Sequence, residues 1–242
     1  MPALVWGSSV RLGGSAKRSV ISFGAASSDM ADAGRFITFE GGEGGGKSTN
    51  LRTLQAALEG AGHTVIATRE PGGSPGAEEI RRLLVEGAID RWDAVSEALL
   101  HFAARRDHVE RIIRPALARG DWVICDRFAD STMAYQGYGH GLGRDVIESL
   151  YALSIGDLKP DLTLILDLPV ETGLARAGER GDSEDRYERM KDGFHQRLRD
   201  GFLDIASREP KRCVVIDATA TLDTVQAEIR NAVTQRLSSP LA

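Results

Sequence analysis

The chain has 242 residues, 42% of them hydrophobic and 27% charged. That length and balance suit one sizeable α/β domain and exclude a wholly disordered chain. A net charge of −5 argues against sequence-independent nucleic-acid binding, and no apolar run reaches the roughly 18 residues a membrane span needs.

Residues 1–29 hold seven serines, three basic residues and one acid, Asp29. The stretch "VISFGAA" is too short and interrupted for a secretory leader, and no periodic apolar pattern is present. Residues 1–33 are therefore expected to lie outside the fold, either as an extension or because Met30 is the true start. An organelle transit peptide is the compositional alternative. A single domain is expected over residues 34–242. Cys125 and Cys213 fall in apolar strand-like runs, which reads as buried thiols in a reducing, cytoplasmic setting.

From Arg35 the chain alternates between strand and helix patterns. "RFITFE" (35–40) is an apolar run that ends at a glycine-rich loop, and a helix follows from Lys47 to Gly60. Strand patterns recur at 63–70, 121–128, 161–169 and 212–218. Helical periodicity marks "AEEIRRLLVEG" and residues 93–119, where Val95, Leu99, Phe102, Val109, Ile112 and Ile113 carry the apolar spacing and Pro115 should kink the helix. Near-continuous apolar strands separated by helices predict a parallel sheet covered on both faces. The expected architecture is a three-layer α/β fold, with a five-stranded parallel sheet flanked by helices, and the glycine-rich "GGEGGGKST" between the first strand and the first helix makes it a P-loop NTPase fold.

"GGEGGGKST" satisfies G-x-x-x-x-G-K-[ST] through Gly41, Gly46, Lys47 and Ser48, with a strand before it and a helix after it. Glycines let backbone N–H groups wrap a phosphate, and the helix adds its positive N-terminal end. Gly41, Gly42, Glu43, Gly44, Gly45, Gly46, Lys47, Ser48 and Thr49 are thus the candidate ATP-binding residues. Lys47 reaches the β- and γ-phosphates, and the Ser48 hydroxyl suits Mg²⁺. No N-K-x-D guanine-reading motif is present. Two strands end in charge, at "TREPGG" and "CDRF", so Arg69, Glu70, Asp126 and Arg127 should converge beside the loop. Arginines there suit an acceptor phosphate lying close to a γ-phosphate of the same sign.

The pieces "FITFEGGEGGGKST", "TREPGGSPGAEEIR", "LLHFAARRDHVERIIRPALARGDWVICDRFADSTMAYQGYGHGL", "LTLILDLP" and "DRYE" resemble bacterial thymidylate kinase from Arg35 to about Arg236. The resemblance implies MgATP as donor, dTMP as acceptor and a homodimer. It places Arg105, Thr132 and Gln136 at the thymine edge, with Ser131 beside them and Tyr135 near the deoxyribose. Arg69 and Arg127 fall near the acceptor phosphate, and Glu43 near the sugar 3′-hydroxyl, with a solvated Glu43 as the alternative. The family usually has phenylalanine four residues before the base-binding arginine. Here His101 stands there and is expected to face the cleft as a substrate-binding residue able to stack on the base, while Phe102 is assigned to the core, on the face that Val95 and Leu99 share.

The charged stretch at about 174–187 matches the place of a mobile lid in such kinases. The loop Gly41–Gly46 holds an acid and no arginine, so the resemblance implies a lid arginine near the transferring phosphate. Arg180 is the first candidate, with Arg176 and Arg186 as alternatives. The catalytic set is therefore expected to be Lys47, Arg127, Asp126 and Arg180. Ser48 and Asp126 are the expected Mg²⁺ ligands, although Asp126 could serve only to orient Arg127. Two other readings are another pyrimidine nucleoside-monophosphate kinase and a P-loop nucleotide-binding regulator.

Overall fold

The computed structural model describes residues 34–179, 186, 187, 189, 190 and 192–241. The expected extension (1–33) and Arg180 lie outside the described residues.

Five short strands form one parallel sheet: β1 (Phe36–Glu40), β2 (Val65–Arg69), β3 (Trp122–Asp126), β4 (Leu162–Asp167) and β5 (Cys213–Asp217). Their order across the sheet is β2-β3-β1-β4-β5. Central β1 aligns Ile37 with Ile124 on one side and Leu162 on the other. Each strand lies within its predicted run and is slightly shorter.

Side chains alternate between the two sheet faces. Ile37 and Phe39 join Leu51, Leu54 and Leu58 of α1 (Lys47–Gly60) and Val225, Ile229 and Val233 of α9 (Leu222–Leu237). Phe36 faces the opposite layer, where Phe102 of α3 (Ala94–His108) and Leu198 and Phe202 of α8 (Asp192–Arg208) pack. By the same alternation Thr38 and Glu40 point into this second layer, and both are buried. The remaining helices are α2 (Pro75–Val85), α4 (Arg114–Ala118), α5 (Ala129–Thr132), α6 (Arg144–Ser154) and α7 (Val170–Gly178).

The helix expected over 93–119 is divided. A π-helical turn at Val109–Ile113 separates α3 from α4. Pro115 has no N–H to give and its ring clashes with the preceding turn, so the widened segment falls just before it. The inward placement of Val95 and Leu99 is also overturned, because they are 48% and 50% exposed. The buried side of α3 instead carries Ala98 and Phe102 together with Glu97, His101, Arg105 and His108, so a large part of its inner face is polar.

Candidate active site

The loop between β1 and α1 is shaped by its glycines. Gly44 has φ 67°, and a Cβ there would collide with the carbonyl oxygen of Gly173, so no side chain is tolerated. Lys47 Nζ donates to the carbonyls of Gly41 (3.2 Å) and Gly42 (2.6 Å). Burial first, and then nearby Arg127, draw its ammonium down to about 8. Ser48 Oγ donates to Asp126 Oδ2 at 2.7 Å. Among the described residues no group of three or more His, Cys, Asp or Glu could hold a metal alone. A hydroxyl and a carboxylate side by side are nevertheless hard oxygen donors, and Mg²⁺ is commonly held by one or two such groups plus substrate phosphates. The residues present therefore fit that ion.

β3 delivers Asp126 and then Arg127, whose φ of 68° is left-handed for a residue with a side chain. Such a conformation costs about 1–3 kcal/mol and persists only where its surroundings enforce it. Those surroundings are specific. The Arg127 amide donates to Phe39 O at 2.9 Å. Its Nη1 donates to Gly41 O (2.9 Å) and Ser131 Oγ (3.2 Å), and its Nη2 to Glu43 Oε1 (2.9 Å). Tyr135 donates its hydroxyl to the same Glu43 oxygen. Glu43 is thus paired rather than solvated. Beneath this arc, Glu40 accepts from the Phe128 amide (2.8 Å) and from Ser131 Oγ (2.5 Å). Burial, and then Asp130, push its carboxyl up to about 7. Arg69 sits exposed at the rim, 3.2 Å from Glu78 Oε2.

At the other end, α3 sets His101 and Arg105 one turn apart on one face. Arg105 is buried and heavily committed. Its Nε donates to Glu70 Oε2 (2.7 Å), and its Nη2 donates to Phe128 O (3.0 Å) and Thr132 Oγ1 (2.9 Å). Its Nη1 is buried with no partner among the described residues. Burial works to raise the Glu70 carboxyl, but Arg105 and His108 outweigh it and hold it below the usual range. His101 Nε2 lies 2.9 Å from the Tyr187 hydroxyl. Burial above all pushes this imidazole down to about 4, so it is neutral at pH 7. Gln136, in a π-helical turn at Met133–Gly139, donates Nε2 to Glu97 Oε1 at 2.7 Å and leaves its own Oε1 buried and unpartnered.

One cavity of about 360 Å³ joins the two ends. Its lining includes Glu43 to Ser48, Arg69, Asp126, Arg127, His101, Arg105, Ser131, Thr132, Tyr135 and Gln136.

The thymidylate kinase sequence family matches residues 39–229. The thymidylate kinase of Caulobacter vibrioides is 61% identical over 204 residues, which is 84% of this chain and 98% of that protein. The chain belongs to the thymidylate kinase family. The thymidylate kinase of Ruegeria pomeroyi is 53% identical over 86% of this chain and 99% of its own length. The crystal structure of thymidylate kinase from Ehrlichia chaffeensis superposes with a TM-score of 0.67 at 38% identity, covering 83% of this chain and 99% of that one.

Several expected site residues stand elsewhere than a thymidylate kinase resemblance alone implies. Gly41 and Gly42 border a separate small void together with His195, and Thr49 is exposed on α1. The two glycines turn the backbone so that their carbonyls meet Lys47, which withdraws them from the main cavity. Ser131 and Thr132 line the cavity and also brace Arg127 and Arg105. The expected lid at 174–187 begins inside α7, since the helix runs to Gly178. Arg176 Nη1 donates to Ala218 O at 3.0 Å. Arg186 is fully buried, and donates to Leu84 O (3.0 Å), Ala88 O (3.1 Å) and Ile89 O (2.9 Å). Both alternative lid arginines are therefore occupied by backbone carbonyls. The sequence assigns no site role to Glu40, Glu97 or Tyr187, although Tyr187 lies in the quoted "DRYE". The one available signal was that two of them are carboxylates embedded in apolar runs, at the end of "RFITFE" and within "VSEALLHF".

Proposed function

We propose that this protein transfers the γ-phosphoryl group of ATP to dTMP, giving dTDP and ADP in the supply of dTTP. The observation that carries this reading is the continuity of the cavity. A phosphate loop with Lys47 lies at one end, and Arg105 and Gln136, with an unpartnered donor (Nη1) and an unpartnered acceptor (Oε1), line the same cavity beyond it. Thymine offers the complementary edge, with O4 to accept and N3–H to donate.

In the proposed mechanism a dTMP phosphate oxygen attacks the γ-phosphorus as the β–γ bridging bond breaks. That oxygen is already anionic at neutral pH, so no general base is required, and positioning with charge stabilisation carries the rate. Lys47 neutralises charge on the β- and γ-phosphates. Arg127, fixed by Glu43, Ser131 and the Gly41 carbonyl, meets the acceptor phosphate, with Arg69 at the rim. Glu43 and Tyr135 face the sugar, and the neutral His101 ring, steadied by Tyr187, flanks the base. Ser48 and Asp126 would hold Mg²⁺, which when bound offsets charge on the donor phosphates. Arg180 is the proposed lid arginine.

A homodimer is proposed from the apolar residues left exposed on two contacting helices, Val95 and Leu99 of α3 and Val146 and Leu153 of α6. Light scattering at micromolar concentration tests it, and a strictly monomeric mass refutes it. The two free, buried cysteines support a cytoplasmic setting. No helix among the described residues is long and apolar enough to cross a membrane. The activity itself is tested by coupled ADP release over a panel of nucleoside monophosphates. dTMP should give the highest kcat/KM, and ADP release independent of any monophosphate would refute the kinase reading.

A further inference from the structure

Glu97 does not line the cavity, yet it is 1% exposed beneath the base end and is surrounded by polar partners. Gln136 Nε2 donates to its Oε1 at 2.7 Å, and His140 Nε2 lies 3.4 Å from that oxygen. Arg186 Nη2 lies 2.6 Å from its Oε2. Burial acts against the charge on this carboxyl, but His140, His101 and Arg186 hold it down to about 2, so it is ionised at any working pH.

An ionised carboxylate has no proton to give and can only accept. The side-chain amide of Gln136 must therefore turn its NH₂ toward Glu97, because the opposite rotation would set two oxygens together in a buried site. The amide oxygen is then left as the group Gln136 can offer to a ligand. Arg105, which lines the same cavity, is likewise pinned, since three of its five N–H donors are engaged as described above and only those on Nη1 remain open. The cavity end thus presents one fixed acceptor and one fixed donor. Thymine and uracil match this order, whereas cytosine carries an acceptor at N3 and a donor at N4 and is mismatched at both.

We propose that Glu97 is the specificity-determining positioning residue of the base site. It rejects cytosine nucleotides by fixing the rotation of the Gln136 amide, and Arg186 keeps it charged while it does so. The proposal rests on the dTMP kinase reading and deepens it.

The test compares kcat/KM for dTMP and dCMP in the full chain and in Glu97→Gln and Glu97→Asp. In Glu97→Gln the new amide can donate as well as accept, so Gln136 is free to rotate. The dTMP-to-dCMP ratio should fall by about ten-fold or more, the scale of one buried hydrogen bond. Glu97→Asp stays acceptor-only despite its shorter reach, and should hold the ratio within about three-fold even if both activities drop. A residue serving only as packing would give the reverse order, because Gln is the closer match in shape. If Glu97→Gln does not fold, the double variant Glu97→Gln/Arg186→Gln removes the charge left unpaired and is read in the same way. An unchanged ratio in the Gln variant, with both activities falling in parallel, overturns the proposal. Failure of the unmodified protein to phosphorylate dTMP would instead overturn the function on which it rests.

Discussion

Replacing Arg105 with alanine should produce two separable losses. The first is in binding. A charged donor facing a base oxygen contributes about 1.5–3 kcal/mol, so the KM for dTMP should rise roughly 10- to 150-fold at 1.36 kcal/mol per decade. The KM for ATP should stay near its original value, because Arg105 lies on α3, away from the loop Gly41–Gly46. The second loss is in stability. Glu70 is buried and takes a 2.7 Å bond from Arg105 Nε, and breaking one side of such a pair costs about 3–5 kcal/mol. For a domain of this size, at roughly 2–4 °C per kcal/mol, Tm should fall by about 6–20 °C. The loss depends on pH in a definite direction. In the intact protein the Glu70 carboxyl sits below its ordinary range, so its stabilising effect is present above that range and fades as pH falls. Without Arg105, burial is opposed by His108 alone, and the carboxyl should rise. The Tm deficit should then be largest near neutrality and narrow toward pH 4. The double variant Arg105→Ala/Glu70→Gln should regain much of the Tm and none of the dTMP affinity. Coupled ADP release with either substrate titrated, together with thermal melts, reads all of this. An unchanged KM for dTMP, or a raised KM for ATP instead, would refute the placement of Arg105 at the base.

Lys47→Ala should abolish turnover while leaving the melt near normal. In the unaltered protein kcat/KM for ATP should decline above about pH 8, as the ammonium loses its proton, and a flat profile from pH 7 to 9.5 would count against that role. Arg186→Ala should lower stability by ~3–5 kcal/mol, the cost of a broken buried pair, whereas Arg176→Ala loses one carbonyl bond and about 1 kcal/mol; calorimetry that ranks them the other way would contradict the contacts described. Arg180→Ala should lower kcat by about ten-fold to a thousand-fold with smaller changes in KM, the pattern of a lost transition-state donor, and normal kcat in the triple variant with Arg176 and Arg186 would remove the lid from the mechanism.

The sheet was legible because parallel strands buried on both faces write continuous apolar runs, and all five were found that way. The P-loop was legible because its glycines and Lys47 are needed at fixed offsets. α3 was misread in part because its inner face is half core and half cavity. Glu97, His101, Arg105 and His108 are buried there in place of hydrophobes, while Val95 and Leu99, which keep the apolar period, face outward. Periodicity registers burial by hydrophobicity and does not register burial by polar pairing. Glu40 escaped for the same reason. Its carboxyl is satisfied by the Phe128 amide and Ser131, partners more than eighty residues away in sequence. Arg186 shows the converse, because a charge-rich segment reads as solvated surface until the carbonyls of Leu84, Ala88 and Ile89 that it serves are brought to it.

Burial brings two groups beside the phosphate loop close to neutrality, pushing the Glu40 carboxyl up to about 7 and drawing the Lys47 ammonium down to about 8. An arriving polyphosphate is strongly negative, and its field favours the protonated form of each. Binding near pH 7.5 is therefore expected to draw protons from the surroundings before any bond to phosphorus is made. Calorimetry should show it: the heat of nucleotide binding in phosphate and in Tris should differ by the number of protons taken up multiplied by the difference in the two buffers' ionisation enthalpies, and equal heats would refute it.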